Sequence, residues 1–258
     1  MIKTFKKLKF ILPIYVLFFI FISISGIIQV DYRLIAPAFN DDISETIFIP
    51  SMYETEGSFH TTSVISLDRI TYLQLLIGRN LNKVEIDERP VYYDNFTPGD
   101  LRVRSSLMKN DSIQTSLIVG VSRTDTPITY TSYPTVYLTY RHMTEDSLLV
   151  GDYVLNVNGN TNIMEEVSTV ECHEFADFEI IRNGETMIVS ASKNEVDDQC
   201  SFGLMIDVFS EITESNVAYR IYDNNTGGPS GGLLQSLYIF NQLTEEYVLE
   251  SLNLVNHK

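Results

Sequence analysis

The sequence is short of the residues that would commit it to several classes of protein. Two cysteines in 258 residues exclude a disulfide-dense miniprotein. Eight prolines and 13 glycines, against 44% hydrophobic residues, exclude a collagen-like repeat and a disordered chain. Basic residues are scarce: 18 Lys and Arg face 34 Asp and Glu, for a net charge of −16. Nucleic acid is therefore not an expected partner, because phosphate binding needs a basic face. What remains is an ordinary globular composition with 15 Tyr and 14 Phe, long enough for one or two domains of about 100–200 residues each.

Charge is unevenly spread. Lys3, Lys6, Lys7 and Lys9 all precede the first acidic residue, Asp31. Between them and the acidic body, Phe10 to Val30 runs without a charge. About 20 apolar residues suffice for a helix to cross a bilayer. Pro13 falls near the start, where a missing N–H is tolerated. Lysines on the N-terminal side predict a cytoplasmic N-terminus with the body outside. A cleaved signal peptide is the competing reading, with Ala36-Pro37-Ala38 as small residues. The apolar run exceeds the roughly 7–15 residues of a signal core, and Asp31 and Arg33 intervene, so an uncleaved plasma-membrane anchor over residues 10–30 is expected. Cys172 and Cys200 either pair outside the membrane or remain two thiols.

Strands are expected over Ile43–Ile49 and Ser58–Leu67. A helix is expected from Asp68 as N-cap to Gly78, a loop over Glu85–Asp100, and a second helix over Leu101–Val119. From Ile128 the pattern turns to strands: Ile128–Tyr140, Asp152–Val157, Phe178–Arg182, Glu185–Ser190 and Val217–Tyr222. A short helix is expected over Met164–Glu174 and an apolar one over Ser230–Phe240. Asn183-Gly184 between two strand-like runs is a strong hairpin signal, since a type I′ turn needs positive φ at both central residues.

Two segments carry candidate chemistry. Gly151-Asp152 leading through a strand to Asn158-Gly159, followed by Phe178 to Glu185, resembles the order of motifs in PDZ domains. Such domains bind peptides by adding a strand to a sheet edge. The resemblance points to Val136, Tyr137 and Leu138 as peptide-binding positions, although no glycine precedes them. A PDZ fold kept for binding and one kept for architecture both remain open.

The second segment is Thr226 to Gly232, glycine-rich and placed between a strand and a helix. Glycines allow a sharp turn and close approach of backbone to substrate. A serine beside the unpaired N–H groups of a helix start has donors for a developing oxyanion. Gly228 to Gly232 formally satisfies the α/β-hydrolase elbow, but His257 is the one histidine that follows. No Gly-Lys-Ser/Thr follows to make a phosphate loop, and no cofactor is expected. Cys172, His173, Glu174 and Asp177 read as a solvated helix end rather than a metal site, and His60 and His142 have no motif around them.

Gly227-Gly228-Pro229-Ser230-Gly231-Gly232 with the helix behind it resembles the nucleophile segment of Lon-type serine proteases. Together with the basic tip, the membrane span, the PDZ-like motifs and the helical Lys109-Asn110-Asp111-Ser112-Ile113-Gln114, the chain is similar to membrane-anchored, PDZ-containing Lon-like proteases of Gram-positive bacteria. The resemblance implies an α+β chain: a cytoplasmic tip over 1–9, a transmembrane helix over 10–30 and an α/β segment over 31–127. A PDZ-like domain over 128–212 and a partial Lon-type protease segment over 213–258 follow. It implies Ser230 as nucleophile, with Gly227, Gly228, Pro229 and Gly231 shaping the oxyanion loop. It also implies a peptide or protein as substrate or ligand. In that family a desolvated lysine about 40 residues after the serine takes its proton. The one lysine after Ser230 here is Lys258, so the chain is expected to be catalytically incomplete. The alternative is a non-catalytic, membrane-tethered peptide-binding module. Nothing in the sequence sets the oligomeric state.

Overall fold

A computed structural model describes residues 2–50, 53, 57–90, 96–140, 148–196, 199–222 and 231–244, with side chains except for those of 2–11, 196 and 199. It is a mixed α+β protein in which the described sheets are antiparallel. In chain order the elements begin α1 (Ile2–Ile27), β1 (Gln29–Val30), β2 (Tyr32–Asp42), a 3-10 turn (Ile43–Glu45), β3 (Ile47–Phe48), β4 (His60–Leu67), β5 (Ile70–Thr71), α2 (Tyr72–Gly78) and β6 (Glu85–Glu88). They continue with α3 (Pro98–Ser122), β7 (Ile128–Thr139), β8 (Tyr153–Val157), α4 (Ile163–Thr169), β9 (Phe175–Arg182) and β10 (Glu185–Ser192). Last come β11 (Asn194–Val196), β12 (Gln199–Ser201), β13 (Leu204–Ser215), β14 (Arg220–Ile221) and α5 (Gly232–Leu243). Two compact units result, Met1–Asn40 with Thr62–Tyr93, and Asp41–Thr61 with Asp94–Lys258.

In the first unit, α1 includes the lysine tip and ends at Ile27, while Val30 pairs with Ile70 as part of a strand. The helix expected over 10–30 is thus shifted toward the N-terminus. Its apolar residues cover every side, and Leu17, Phe18 and Phe19 are 66%, 60% and 71% exposed. Among the described residues no helix is long and apolar enough to cross a membrane.

The short helix α2 starts at Thr71, not Asp68. Thr71 accepts from the Gln74 N–H and Gln74 returns a bond to the Thr71 N–H, a reciprocal cap that Asp68 lacks. The expected loop over 85–100 contains β6, held in the order β4-β2-β6, with Arg33 on β2 bonded to Asp87 at 2.9 Å.

The second unit holds a five-stranded antiparallel sheet in the order β10-β9-β8-β7-β13. The β9–β10 hairpin closes through Asn183 and Gly184, both at positive φ (53° and 82°), and Asn158-Gly159 turns in the same way (51° and 80°). Both turns are where the sequence put them. Val136, Val154, Val157, Phe178 and Ile180 of the sheet pack with Ile163 of α4 and Phe202 as one buried core. α4 stops at Thr169, short of the expected Glu174. Lys193 reaches the carbonyls of Val167 and Val170 at 3.0 and 2.7 Å and satisfies that end of the helix.

A second core joins α3 and α5 through Ile113, Leu117, Val121, Tyr238 and Ile239, with Ile43 and Ile47. The strand expected over 43–49 is broken here. Asp42 accepts from Ser44 N and Oγ at 2.9 and 2.8 Å and turns the chain into a 3-10 turn before the two-residue β3. β14 is likewise only Arg220–Ile221, paired to β3.

Candidate functional site

The glycine-rich segment enters the described structure at its last two residues. Gly227, Gly228, Pro229 and Ser230 lie outside the described residues. Gly231 has φ +113°, a backbone conformation that L side chains rarely adopt, and a Cβ there would meet Thr61 Cγ2 at 2.9 Å. Gly231 is the N-cap of α5, and its carbonyl accepts the Gln235 N–H at 2.8 Å to close the first turn. The helix therefore begins at Gly232, two residues after the expected start. The leading N–H groups of a helix have no partner within it and project back toward the preceding chain.

What holds that helix start in place is α3. Ser112, Ser116 and Gly120 repeat every four residues, so they fall on one face. Against that face lie Gly232, Ser236 and Ile239 of α5. A Cβ on Gly232 would come within 3.1 Å of Ser112 Oγ and 3.5 Å of Ser116 Oγ. A Cβ on Gly120 would come within 2.7 Å of Ile239 Cγ2 and 3.0 Å of the Ser236 carbonyl. The buried Ser116 hydroxyl sits 2.5 Å from the Ser112 carbonyl, 3.0 Å from the Gly232 carbonyl and 3.2 Å from Gln235 Oε1. The Ser116 hydroxyl, with one proton to donate, thus lies between the backbones of the two helices at the start of α5.

The neighbouring face of α3 does different work. Asp111 Oδ1 accepts the Ser210 N–H at 2.9 Å, and Gln114 Oε1 accepts the Ile212 N–H at 3.2 Å. Two side chains three apart on a helix thereby satisfy alternate N–H groups along the outer edge of β13. Burial pushes the Asp111 carboxyl above its ordinary value, opposed by the Ser210 hydrogen bond and reinforced by the nearby Asp207 charge. The segment singled out as 109–114 is therefore a double clamp, with Asp111 and Gln114 on the sheet and Ser112 against α5. Beside it, a recess of about 330 Å³ opens between Lys109, Asn110 and Ile113 of α3 and Ile221-Tyr222.

The PDZ-like candidates lie inside the sheet. Val136 and Leu138 are buried and pair with Ile206 and Met205 of β13. Val136 also donates to the Asp152 carbonyl and accepts from Gly151 N–H on its other side. Tyr137 lies under the Arg104 guanidinium, 5.6 Å from the ring centroid. Val136 has no backbone edge left for an added strand.

The Gly-Asp signature has a structural explanation that the sequence reading missed. Asp152 is buried, accepts the Leu149 N–H at 2.8 Å, and takes Arg182 Nε and Nη2 at 2.8 and 2.6 Å. The bidentate pair ties the Gly-Asp turn to the last residue of β9 and holds the Arg182 pKa above its ordinary value. Both partners stood inside the quoted motifs, so an acid in one and an arginine in the other was the available signal.

Cys172 and Cys200 form a disulfide. His173 and Glu195 lie close to Cys172, but a disulfide sulfur has no thiolate to offer, and the two remaining ligands are exposed and 4.0 Å apart. His60 bonds Ser58 on an exposed surface. His142, Asp197, Asp198 and the chain end from Glu245, including His257 and Lys258, lie outside the described residues. No protein-family model and no curated protein matches the chain.

Proposed function

We propose that this chain is a membrane-anchored, extracytoplasmic protein of the PDZ-containing Lon-like serine protease type, with Ser230 in the nucleophile position and peptide bonds as its target. One observation carries the reading. The glycine turn ends in a left-handed Gly231 that feeds directly into a helix, and that helix start is clamped to α3 through Ser116. A rigid glycine-to-helix junction is what a nucleophile loop requires, because it presents N–H donors at a fixed position.

The anchor rests on the uncharged run from Phe10 to Val30 in the sequence, of which α1 holds the part up to Ile27. A helix apolar on all sides and open to its surroundings suits lipid rather than water. The lysine tip then stays inside and the acidic body outside. The disulfide suits an oxidising compartment. No lysine occurs between Gly231 and His257, so the base implied by the family resemblance is not offered by that stretch.

A fluorophosphonate probe on the full-length chain in membranes or detergent tests the reading. Covalent labelling that Ser230→Ala abolishes supports it. A Ser230 that stays unlabelled in folded protein overturns its role as a reactive nucleophile.

A second reading, a non-catalytic peptide-binding module, is favoured by a different observation. β10 ends the five-stranded sheet on the side away from α3, and its Ile188 is 70% exposed. An extended peptide would add as a further strand there. A peptide array that finds no sequence selectivity counts against it.

A further inference from the structure

We infer that the first unit is a dimerisation module, in which its part of β4, from Thr62 to Leu67, pairs antiparallel with the same segment of a second copy. In the order β4-β2-β6, β4 is an edge strand. The Ser63 hydroxyl, bonded to Phe39 N and O at 3.2 and 3.1 Å, ties it to β2 on its inner side. Its outer edge has no strand partner among the described residues. Edge strands are ordinarily blunted by charge, by proline, by brevity or by a cover. β4 lacks the first three: it spans eight residues, His-Thr-Thr-Ser-Val-Ile-Ser-Leu, without an acid, a lysine, an arginine or a proline. Its apolar residues are open on both faces, with Val64 63% and Ile65 47% exposed.

Charge identifies the occupant as another copy of this chain. The net charge of −16 makes most copy-to-copy contacts repulsive. The opposite edge of the same sheet, β6, reads Glu-Ile-Asp-Glu, and self-pairing in full overlap would set Glu85 against Glu88. Like charges directly opposite each other destabilise a pair of strands. On β4, a two-fold axis at Val64 sets Val64 against Val64, Ser63 against Ile65 and Thr62 against Ser66, with no charge opposed. One edge of the sheet thus rejects its own copy and the other accepts it. The resulting contact is isologous and closes at two copies. It does not depend on the chemistry of Ser230.

The test is cysteine cross-linking of the full-length chain in membranes. The native cysteines are already paired, so Val64→Cys introduces the one reactive thiol. Opposed strand residues stand about 4.5–5.5 Å apart at Cα, within the reach of a disulfide. Mild oxidation is expected to give a covalent dimer with Val64→Cys and none with Glu85→Cys on the other edge. Val64→Lys, which opposes two ammonium groups across the axis, is expected to weaken dimerisation in detergent roughly tenfold or more. An intact Cys172–Cys200 disulfide on a non-reducing gel reports that its second unit has folded. A chain that sediments as a monomer at every concentration overturns the inference. So does cross-linking through Glu85→Cys but not Val64→Cys.

Discussion

The two units put their apolar residues to opposite uses. In the second unit they are buried in two cores, one under the five-stranded sheet and one between α3 and α5. In the first, only Ile70 and Leu75 among the described large apolar residues are fully buried, while α1, Phe39 and β4 display theirs. Fully burying a large apolar side chain stabilises by roughly 1.5–3 kcal/mol, so the second unit contains its own driving force and the first does not. If lipid covers α1 and a second copy covers β4, as proposed above, the first unit gains its stability from those contacts instead.

That contrast can be broken at specific residues. The largest effect is expected at Asp152, where Asp152→Ala leaves Arg182 and the Leu149 N–H without their buried acceptor. Removing one partner of a buried pair costs about 3–5 kcal/mol, and the partly exposed Arg182 puts this case near 3. Chemical denaturation followed by circular dichroism measures it, and a loss below 1 kcal/mol would mean that the Gly-Asp turn does not hold the sheet.

The disulfide comes next. It closes a separation of 28 residues, and its reduction, or Cys172→Ser with Cys200→Ser, is expected to cost about 3 kcal/mol in the second unit. Amide hydrogen exchange should show that loss in β9 and α4, with exchange in β2 and β6 of the first unit unchanged.

Gly120→Ala tests the junction between α3 and α5. The added methyl meets the Ile239 side chain and the Ser236 carbonyl too closely, and overpacking of this kind costs about 1–3 kcal/mol. If the proposed function holds, fluorophosphonate labelling of Ser230 falls with it. Thermal melts compared with labelling rates separate unfolding from a displaced loop.

The smallest effect concerns pH. Burial raises the Asp111 pKa above 3.8 in the folded chain, so the folded state holds this proton more tightly than the unfolded one. Ionisation of Asp111 therefore subtracts stability as pH rises from about 3.8 through the raised value. Asp111→Asn keeps an oxygen for the Ser210 N–H and removes the charge. It is expected to melt slightly higher than the parent at neutral pH and no higher at pH 3. An unchanged difference at both values would place the cause in packing.

Local chemistry was legible before any coordinates. Both Asn-Gly turns, the strands around them and the long helix before them follow from rules that act over a few residues. Errors arose where two local signals competed or where the deciding partner was distant. Asp68 and Thr71 are both good caps, and only Thr71 has Gln74 three residues on. β13 was missed altogether because Leu-Met-Ile-Asp-Val-Phe-Ser-Glu-Ile-Thr-Glu-Ser alternates poorly. Its place is set instead by β7 on one side and by Asp111 and Gln114 on the other. Val136 and Leu138, which the PDZ resemblance points to, pair with this strand, and no local pattern announces it. The four-residue spacing of Ser112, Ser116 and Gly120 is plain in the sequence, but only the arrival of α5 gives it meaning.

The sequence by itself determined the charge asymmetry, the uncharged N-terminal run, the hairpin at Asn183-Gly184 and the apolar helix after the last glycines, because each depends on neighbouring residues and on intrinsic backbone preference. Tertiary structure alone decided that α3 serves both the sheet edge and α5, that Asp152 finds Arg182, and that two cysteines 28 residues apart meet. Those pairings join groups far apart along the chain, and no local preference encodes a partner that only folding brings within reach.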